Sequence, residues 1–286
     1  MNLVQNGLNK VHSRATVLSM TNPAASSPLL SASSGATSRR AADGRAAAEI
    51  ATAAGALLLA HRADRERAGT DPADIRKAGD QLSHDYLAAT LGERFPGDAV
   101  LSEEGADDPA RLTADRVWIV DPLDGTREFG EPGRSDWAVH VALVEAGLLV
   151  AGAVALPGLG VTFSTADPAA PLSALPAVPR VVVSRTRRPA PVTAMAEALG
   201  AELVEMGSAG AKAMAVVRGE ADLYAHCGGQ YEWDSAAPVA VARAAGLHVS
   251  RIDGSELHYN QENPWLPDLL ICRPELTDRA LGVLGR

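Results

Sequence analysis

Apolar positions along this chain change period in a way that marks out elements. Over Ala46–Arg62, Ile50, Ala54, Leu57, Leu58 and His61 recur at helical spacing, which predicts a buried helix. A second helix is predicted over Gly79–Glu93, with Leu82, Tyr86 and Leu87 on one face. Short apolar runs then replace the helical period. Asp98-Ala-Val-Leu-Ser leads into Glu103 and Glu104, and Arg116-Val-Trp-Ile-Val leads into Asp121. Trp137–Glu145 and Leu148–Leu156 read as a hairpin turning at Ala146-Gly147.

Beyond a Pro- and Ala-rich stretch, Asp167–Pro179, strands and helices alternate. Strands are expected at Arg180–Ser184, Glu202–Met206 and Ala221–Ala225. Helices are expected at Ala190–Leu199, Ala211–Val217 and Asp234–Ala245, with a glycine-rich turn at Gly207–Gly210. Thr21–Ser38 is dense in Ser, Ala and Pro without apolar period, so residues 1–40 are expected to be a disordered extension. It lacks the basic start and compact apolar core of a signal peptide, and Met20 is an alternative start. The organisation expected is therefore this extension, an α+β domain over 41–170 and an α/β domain over 180–286.

Composition narrows the class. Of 286 residues, 47% are hydrophobic and 21% charged, the profile of a soluble globular protein, and the net charge is -9. A negative surface disfavours a nucleic acid polymer as partner. It leaves open a small anion held through bound cations. No apolar run reaches the ~18–20 residues of a membrane span. Cys227 and Cys272 are far apart in the sequence, which leaves two reduced thiols or one disulfide, and reduced thiols suit a cytoplasmic enzyme.

The acids at the strand ends carry the candidate chemistry. Asp121 and Asp124 bracket Pro122-Leu123 and are followed by Gly125-Thr126. Such a turn can present two carboxylates and the Leu123 carbonyl to a hard divalent cation. An isolated Asp-x-x-Asp-Gly can equally be a solvated loop. Its combination with Glu103-Glu104 and with Trp233-Asp234-Ser235 favours a multi-metal phosphoryl-transfer site.

Ser102-Glu103-Glu104, Asp121-Pro122-Leu123-Asp124-Gly125-Thr126 and Trp233-Asp234-Ser235-Ala236-Ala237, in this order, resemble the inositol monophosphatase superfamily. The resemblance runs from about Ala46 to the C-terminus. It implies a two-domain layered α-β-α-β-α sandwich with the site in the crevice between domains. It also implies a Mg²⁺-dependent, lithium-sensitive phosphatase holding two or three ions, and a homodimer. Glu103, Asp121, Leu123 through its carbonyl, Asp124 and Asp234 are then metal ligands. Asp80 is either a further ligand that activates water together with Thr126 or the N-cap of the Gln81 helix. The Gly125 and Thr126 amides would hold phosphate oxygens.

Arg127-Glu128-Phe129 after the turn resembles the CysQ-type branch, the 3′(2′),5′-bisphosphate nucleotidases. That branch removes the 3′-phosphate of 3′-phosphoadenosine 5′-phosphate and its sulfated form in sulfate assimilation. The Gly207-Ser208-Ala209-Gly210-Ala211-Lys212 segment resembles the branch's substrate turn, with Ser208 and Lys212 meeting a second phosphate. Arg127 and Glu128 would contact substrate too, although Arg127 can instead pair with Glu128 or Glu131. An inositol 1-phosphate or fructose 1,6-bisphosphate phosphatase is the alternative. A silent sensor has no use for Thr126.

Overall fold

Two sheets, each covered on both faces by helices, account for the apolar pattern. The computed structural model describes residues 28–285, with side chains from 37 onward. Thr37–Arg286 form one compact unit. Helices α1 (Pro28–Arg67) and α2 (Pro72–Arg94) precede the first sheet. That sheet contains β1 (Ala99–Ser102), β2 (Arg116–Asp124), β3 (Ala138–Glu145), β4 (Leu148–Leu156) and β5 (Val161–Ser164), in that spatial order. β1 and β2 run parallel and the other pairs antiparallel.

A one-turn helix, α3 (Thr126–Phe129), follows β2. The second sheet holds β6 (Arg180–Ser184), β7 (Glu202–Met206), β8 (Leu223–Tyr231), β9 (His248–Ser250) and β10 (Trp265–Cys272), in the order β7-β6-β8-β10-β9. Helices α4 (Ala190–Leu199), α5 (Ala209–Val217), α6 (Glu232–Ala244) and α7 (Thr277–Leu284) complete the unit.

The layers follow from the two-residue period of the strands. Along β2, Trp118 and Val120 point toward α1 and α2 and pack with Ile50, Leu58, Leu87 and Leu91. Val117 and Ile119 point the other way. They join Met214 and Val216 of α5, Ala237 and Val241 of α6, and Val182 and Ile271 of the second sheet. The outer face of the second sheet sends Val181, Val183 and Leu270 against Val192 and Met195 of α4 and Leu284 of α7. Each such buried aliphatic contributes ~1.5–3 kcal/mol through removal from water. The resulting order, helices–sheet–helices–sheet–helices, is the sandwich expected from the sequence.

Three differences matter. Of the extension expected over 1–40, residues 1–27 lie outside those described, and the chain is already helical from Pro28. Just ahead of the helix expected from Ala46, buried Asp43 accepts from Arg116 at 2.9 Å and anchors this part of α1 to the sheet. β2 does not stop at Val120 but continues through Asp124 around a bulge that leaves Pro122 and Leu123 outside the ladder with β3. A proline inside a central strand requires such a bulge, since it has no N–H to give. Finally, the sequence analysis assigns no element after Ala245, yet β10 lies inside the second sheet.

Arg116 also reaches Asp98 at 3.0 Å and Glu145 at 3.4 Å, tying α1 to the end of the first sheet where β1 and β2 begin and β3 finishes. Arg116→Met is expected to leave these carboxylates without their cation and to cost about 3 kcal/mol, read as a lower urea midpoint at constant slope.

Candidate active site

At the bulge in β2, side chains take up the backbone groups of Pro122 and Leu123. Ser83 Oγ of α2 donates to the Pro122 carbonyl at 2.7 Å, and the Leu123 N–H donates to Asp121 Oδ1 at 3.0 Å. Thr126 Oγ1 lies 3.0 Å from the Leu123 carbonyl and 3.4 Å from Asp80 Oδ1. The chain leaves the bulge through Gly125 at φ +86°, a conformation that disfavours any side chain.

α2 begins at Pro72, with Asp71 accepting from the Ala73 N–H at 2.7 Å as its cap. Asp80 therefore sits inside the helix and is not its N-cap. A β-carbon on the preceding Gly79 would stand 2.7 Å from the Phe129 ring. That close approach brings Asp80 beside Thr126.

Asp121, Asp124 and Asp234 converge, each offering one oxygen within 4.8 Å of the others. Asp121 and Asp124 come from the β2 bulge, and Asp234 comes from the first turn of α6, where it accepts from the Tyr231 N–H at 2.6 Å. Glu103, just beyond β1, is exposed along its flank but feels the same cluster.

The five acids, Asp80 included, differ in kind. Burial, then the charges of Glu103, Asp124 and Asp234, push Asp121 well above the usual carboxylate range. Burial and the neighbouring carboxylates raise Glu103 to about 7, and burial with Asp124 raises Asp234 to about 6. Asp80 is raised to about 7 by burial and then by Glu104.

Asp124 goes the other way. Burial would raise it, but His140, Lys212 and Ser208 outweigh burial and hold it well below the usual range. Its Oδ2 accepts from Ser208 Oγ at 2.5 Å and from the Gly210 N–H at 2.6 Å, while Oδ1 accepts from the Ala209 N–H at 3.1 Å. Asp124 thus binds the start of α5. His140, fully buried, lies with Nε2 3.3 Å from Asp124 and Nδ1 3.0 Å from the Trp233 carbonyl.

Hard oxygen donors crowded until three of them favour protonation are suited to a hard divalent cation, whose charge relieves the repulsion. The residues present fit such an ion. Asp121, Asp124 and Asp234 would hold it, with Glu103 at the rim.

The cluster opens into a cavity of about 750 Å³, whose walls include Arg127, Arg187, Lys212, Tyr231 and Trp265. Ser208 and Lys212 line it, as the sequence suggested, but their polar atoms are engaged. Ser208, at φ +44°, donates to Asp124 and accepts from the Ala211 N–H. Lys212 Nζ is buried, donates to the Gly207 and Ser208 carbonyls, and lies 5.4 Å from the centre of the Tyr224 ring.

Glu128 is buried and accepts from Arg185 Nε at 2.6 Å, and Glu131 accepts from the same guanidinium at 2.5 Å. Arg185, not Arg127, takes both acids. Arg127 and Arg187 have no ion pair among the described residues and border the cavity. Arg187 escaped the sequence reading. The available signal was the run Arg185-Thr186-Arg187-Arg188 directly after a strand.

The architecture and the acids together define a metal-dependent phosphatase class, and comparison with known proteins agrees. Residues 37–279 match the model of the inositol monophosphatase family. A 3′-phosphoadenosine 5′-phosphate phosphatase of Mycobacterium leprae is 49% identical over 85% of this chain and 93% of its own length. The 3′(2′),5′-bisphosphate nucleotidase CysQ of Escherichia coli is 33% identical over 69% of this chain and 88% of its own.

Among solved structures, CysQ from Bacteroides thetaiotaomicron superposes with a TM-score of 0.66 at 28% identity, covering 81% of this chain and 97% of that one. Staphylococcal IMPase-II superposes at 0.70 and 19% identity, over 85% and 95% of the two chains, a likeness of fold. The chain belongs to the inositol monophosphatase family. No helix among the described residues is long and apolar enough to cross a membrane.

Proposed function

We propose that this chain removes the 3′-phosphate of 3′-phosphoadenosine 5′-phosphate, and of its sulfated form, in a Mg²⁺-dependent reaction. The observation that carries this reading is the cavity. It runs from the carboxylate cluster to a second, unpaired cation, Arg187, and to two aromatic side chains, a wall that a single-phosphate polyol would not use. The names of the relatives from Mycobacterium leprae and Escherichia coli point the same way. The same reading places the enzyme in sulfate assimilation in the cytoplasm, as a homodimer sensitive to lithium.

In this reading Glu103, Asp121, the Leu123 carbonyl, Asp124 and Asp234 hold two or three Mg²⁺ ions. Bound there, the ions would neutralise phosphate charge and acidify water. The chain's own residues do the rest. The Gly125 and Thr126 amides orient the 3′-phosphate. Thr126 Oγ1 passes a proton from the attacking water to Asp80, whose raised affinity suits it to accept one near neutral pH. Water oxygen bonds to phosphorus as the bond to the 3′-oxygen breaks. That oxygen takes a proton from solvent, leaving an alcohol and inorganic phosphate. Arg187 meets the 5′-anion, with Arg127 beside the turn.

The test is phosphate release from 3′-phosphoadenosine 5′-phosphate, inositol 1-phosphate and fructose 1,6-bisphosphate, with Mg²⁺, with EDTA and with added lithium. Turnover is expected to be highest on the nucleotide, absent in EDTA and reduced by lithium. Preference for the inositol or sugar phosphate would overturn the substrate assignment. Arg187→Ala is expected to raise KM for the nucleotide roughly 10-fold, the worth of one charge-assisted contact.

A further inference from the structure

Outside the cavity, one buried arginine joins the two segments that bring Glu103 and Asp234 to the carboxylate cluster. Arg111 lies in a short 3₁₀ turn, Pro109–Thr113, on the connection from β1 to β2, and its side chain is 1% exposed. Its guanidinium takes both oxygens of Asp107, Nε to Oδ1 at 2.6 Å and Nη2 to Oδ2 at 3.0 Å. The remaining arm, Nη1, reaches the connection between β9 and β10. There it donates to the Asn260 side-chain oxygen at 2.8 Å and to the Gln261 carbonyl at 3.0 Å. The Asn260 side-chain amide donates back to the Arg111 carbonyl at 3.0 Å.

That connection in turn holds the start of α6. Glu232, the first residue of α6 and fully buried, accepts from the Asn260 N–H at 2.6 Å and from the Gln261 N–H at 2.8 Å. The hydroxyls of Tyr259 and Ser235 lie 3.2 Å apart. Asp234 is thus flanked by two residues, Glu232 and Ser235, that are tied to Tyr259, Asn260 and Gln261. At the other end of the network Asp107 stands four positions after Glu103, whose carboxyl feels the charges of Asp234 and Asp124.

Arg111, Asp107, Glu232, Asn260 and Gln261 do not line the cavity, and the hydrolytic step uses none of them. An ion held by ligands from two segments binds only as well as those segments are held relative to one another. We propose that Arg111 is a positioning residue of the metal centre. By fastening the Glu103 segment to the Asn260–Gln261 segment, it sets where Glu103 stands relative to Asp234, and with it the affinity for the divalent ion. Arginine suits the task, because its planar fork reaches separate acceptors in fixed directions and the point charge of a lysine does not. This role rests on the proposed Mg²⁺ centre and deepens it.

The experiment titrates Mg²⁺ into the substrate-free protein by calorimetry, at about 0.5 M KCl, where the field of an exposed charge is screened beyond ~4 Å. Wild type is compared with Arg111→Lys, Arg111→Met and Asp107→Ala. The control is Arg116→Met, which breaks an ion cluster at the far end of β2 from the acids. Arg111→Lys keeps the charge and loses the fork. Its Mg²⁺ dissociation constant is expected to rise roughly 10-fold, the low end of what a lost supporting contact costs a metal site. Arg111→Met separates position from charge. By charge alone, removing a cation near the site would tighten Mg²⁺, whereas loss of position weakens it, again roughly 10-fold. Asp107 is 44% exposed, so Asp107→Ala leaves a protein that folds, and it should weaken Mg²⁺ as well. In phosphate-release assays the Mg²⁺ midpoint should move with the dissociation constant, and turnover should recover at saturating Mg²⁺.

Arg116→Met should lower the melting temperature and leave Mg²⁺ affinity at the wild-type value. If it weakens Mg²⁺ as much as the Arg111 variants do, the effect is a general loss of stability and the positioning role is overturned. The role is overturned equally if the Arg111 variants, or Asp107→Ala where those do not fold, bind Mg²⁺ as wild type does. Tighter binding by Arg111→Met would reduce Arg111 to a charge and overturn it too. If wild type itself binds no Mg²⁺, the metal reading falls, and this inference with it.

Discussion

Asp124→Asn is expected to abolish phosphate release, by on the order of 10³-fold or more, because it removes an anionic ligand from a site that works by charge. The same change at Asp121 or Asp234 should be as damaging to turnover. The informative contrast lies in the stability of the metal-free proteins. Asp124 is the paired acid: Ser208, Ala209 and Gly210 all donate to it, and its carboxyl is held well below the usual range.

An amide keeps only one acceptor oxygen there and turns an NH₂ against a donor of α5. That leaves buried groups unmatched, at about 2–4 kcal/mol, or a melting temperature lower by roughly 5–10 °C. Asp121 and Asp234 are the strained acids, pushed upward by burial and by one another. Neutralising either relieves repulsion, so in EDTA Asp121→Asn and Asp234→Asn should melt at or above the wild-type temperature. Melts in EDTA beside phosphate assays check this. A common destabilisation of all three variants would show that the carboxylates are held by something other than the contacts described.

How much of this was readable in advance depended on how local the cause was. The alternation along β2 is local, so Val117 and Ile119 on one face and Trp118 and Val120 on the other could be read as one strand between two layers. The Asp121–Thr126 turn was readable as a liganding turn because its residue types and spacing carry the chemistry. Asp80 was ambiguous, since the helix start that would have settled it lies at Asp71, upstream of any apolar period.

Ser208 and Lys212 were placed in the right cavity, but no sequence reading shows that Asp124, from the other sheet, consumes the Ser208 hydroxyl. Nor does it show that backbone carbonyls consume the Lys212 ammonium. Glu128 was legible as a residue of interest and not as the partner of Arg185, which the second sheet supplies. Trp265 and Tyr231 come together only through the antiparallel register of β8 and β10, and β10 was left unassigned in the sequence analysis. The residues of the cavity wall therefore emerged where two sheets meet, whereas the Asp121–Thr126 turn was legible by itself.

The second large effect couples metal to pH. In the metal-free protein Asp80 and Glu103 titrate at about 7 and Asp234 at about 6, against 3.8 or 4.5 in an unfolded chain, and Asp121 is raised as well. A carboxyl raised on folding keeps its proton longer in the native state, so stability falls as pH rises from about 4 to about 7 and the full penalty is present above that. Asp124 has the opposite sign, contributing stability above pH 3.8 that is lost as pH falls through its depressed value. Between pH 5 and 8 Asp80, Glu103 and Asp234 titrate and lower stability as pH rises; the raised His140 acts in the same direction, and the lowered His226 and His248 oppose it.

Divalent cations need the deprotonated acids, so Mg²⁺ must displace protons at pH 5 and meets ready ligands at pH 8. At 100 times its dissociation constant the ion adds about 2.7 kcal/mol, roughly 5–10 °C for a chain of this size. Melts at pH 5 to 8, in EDTA and in Mg²⁺, should show the metal-free melting temperature dropping with pH and the Mg²⁺ increment growing from near zero to that full shift. Turnover should rise through the same window as Asp80 becomes free to accept the proton from water. An Mg²⁺ increment independent of pH would mean that the ion binds away from these four carboxylates, and the assignment of the metal centre would fall with it.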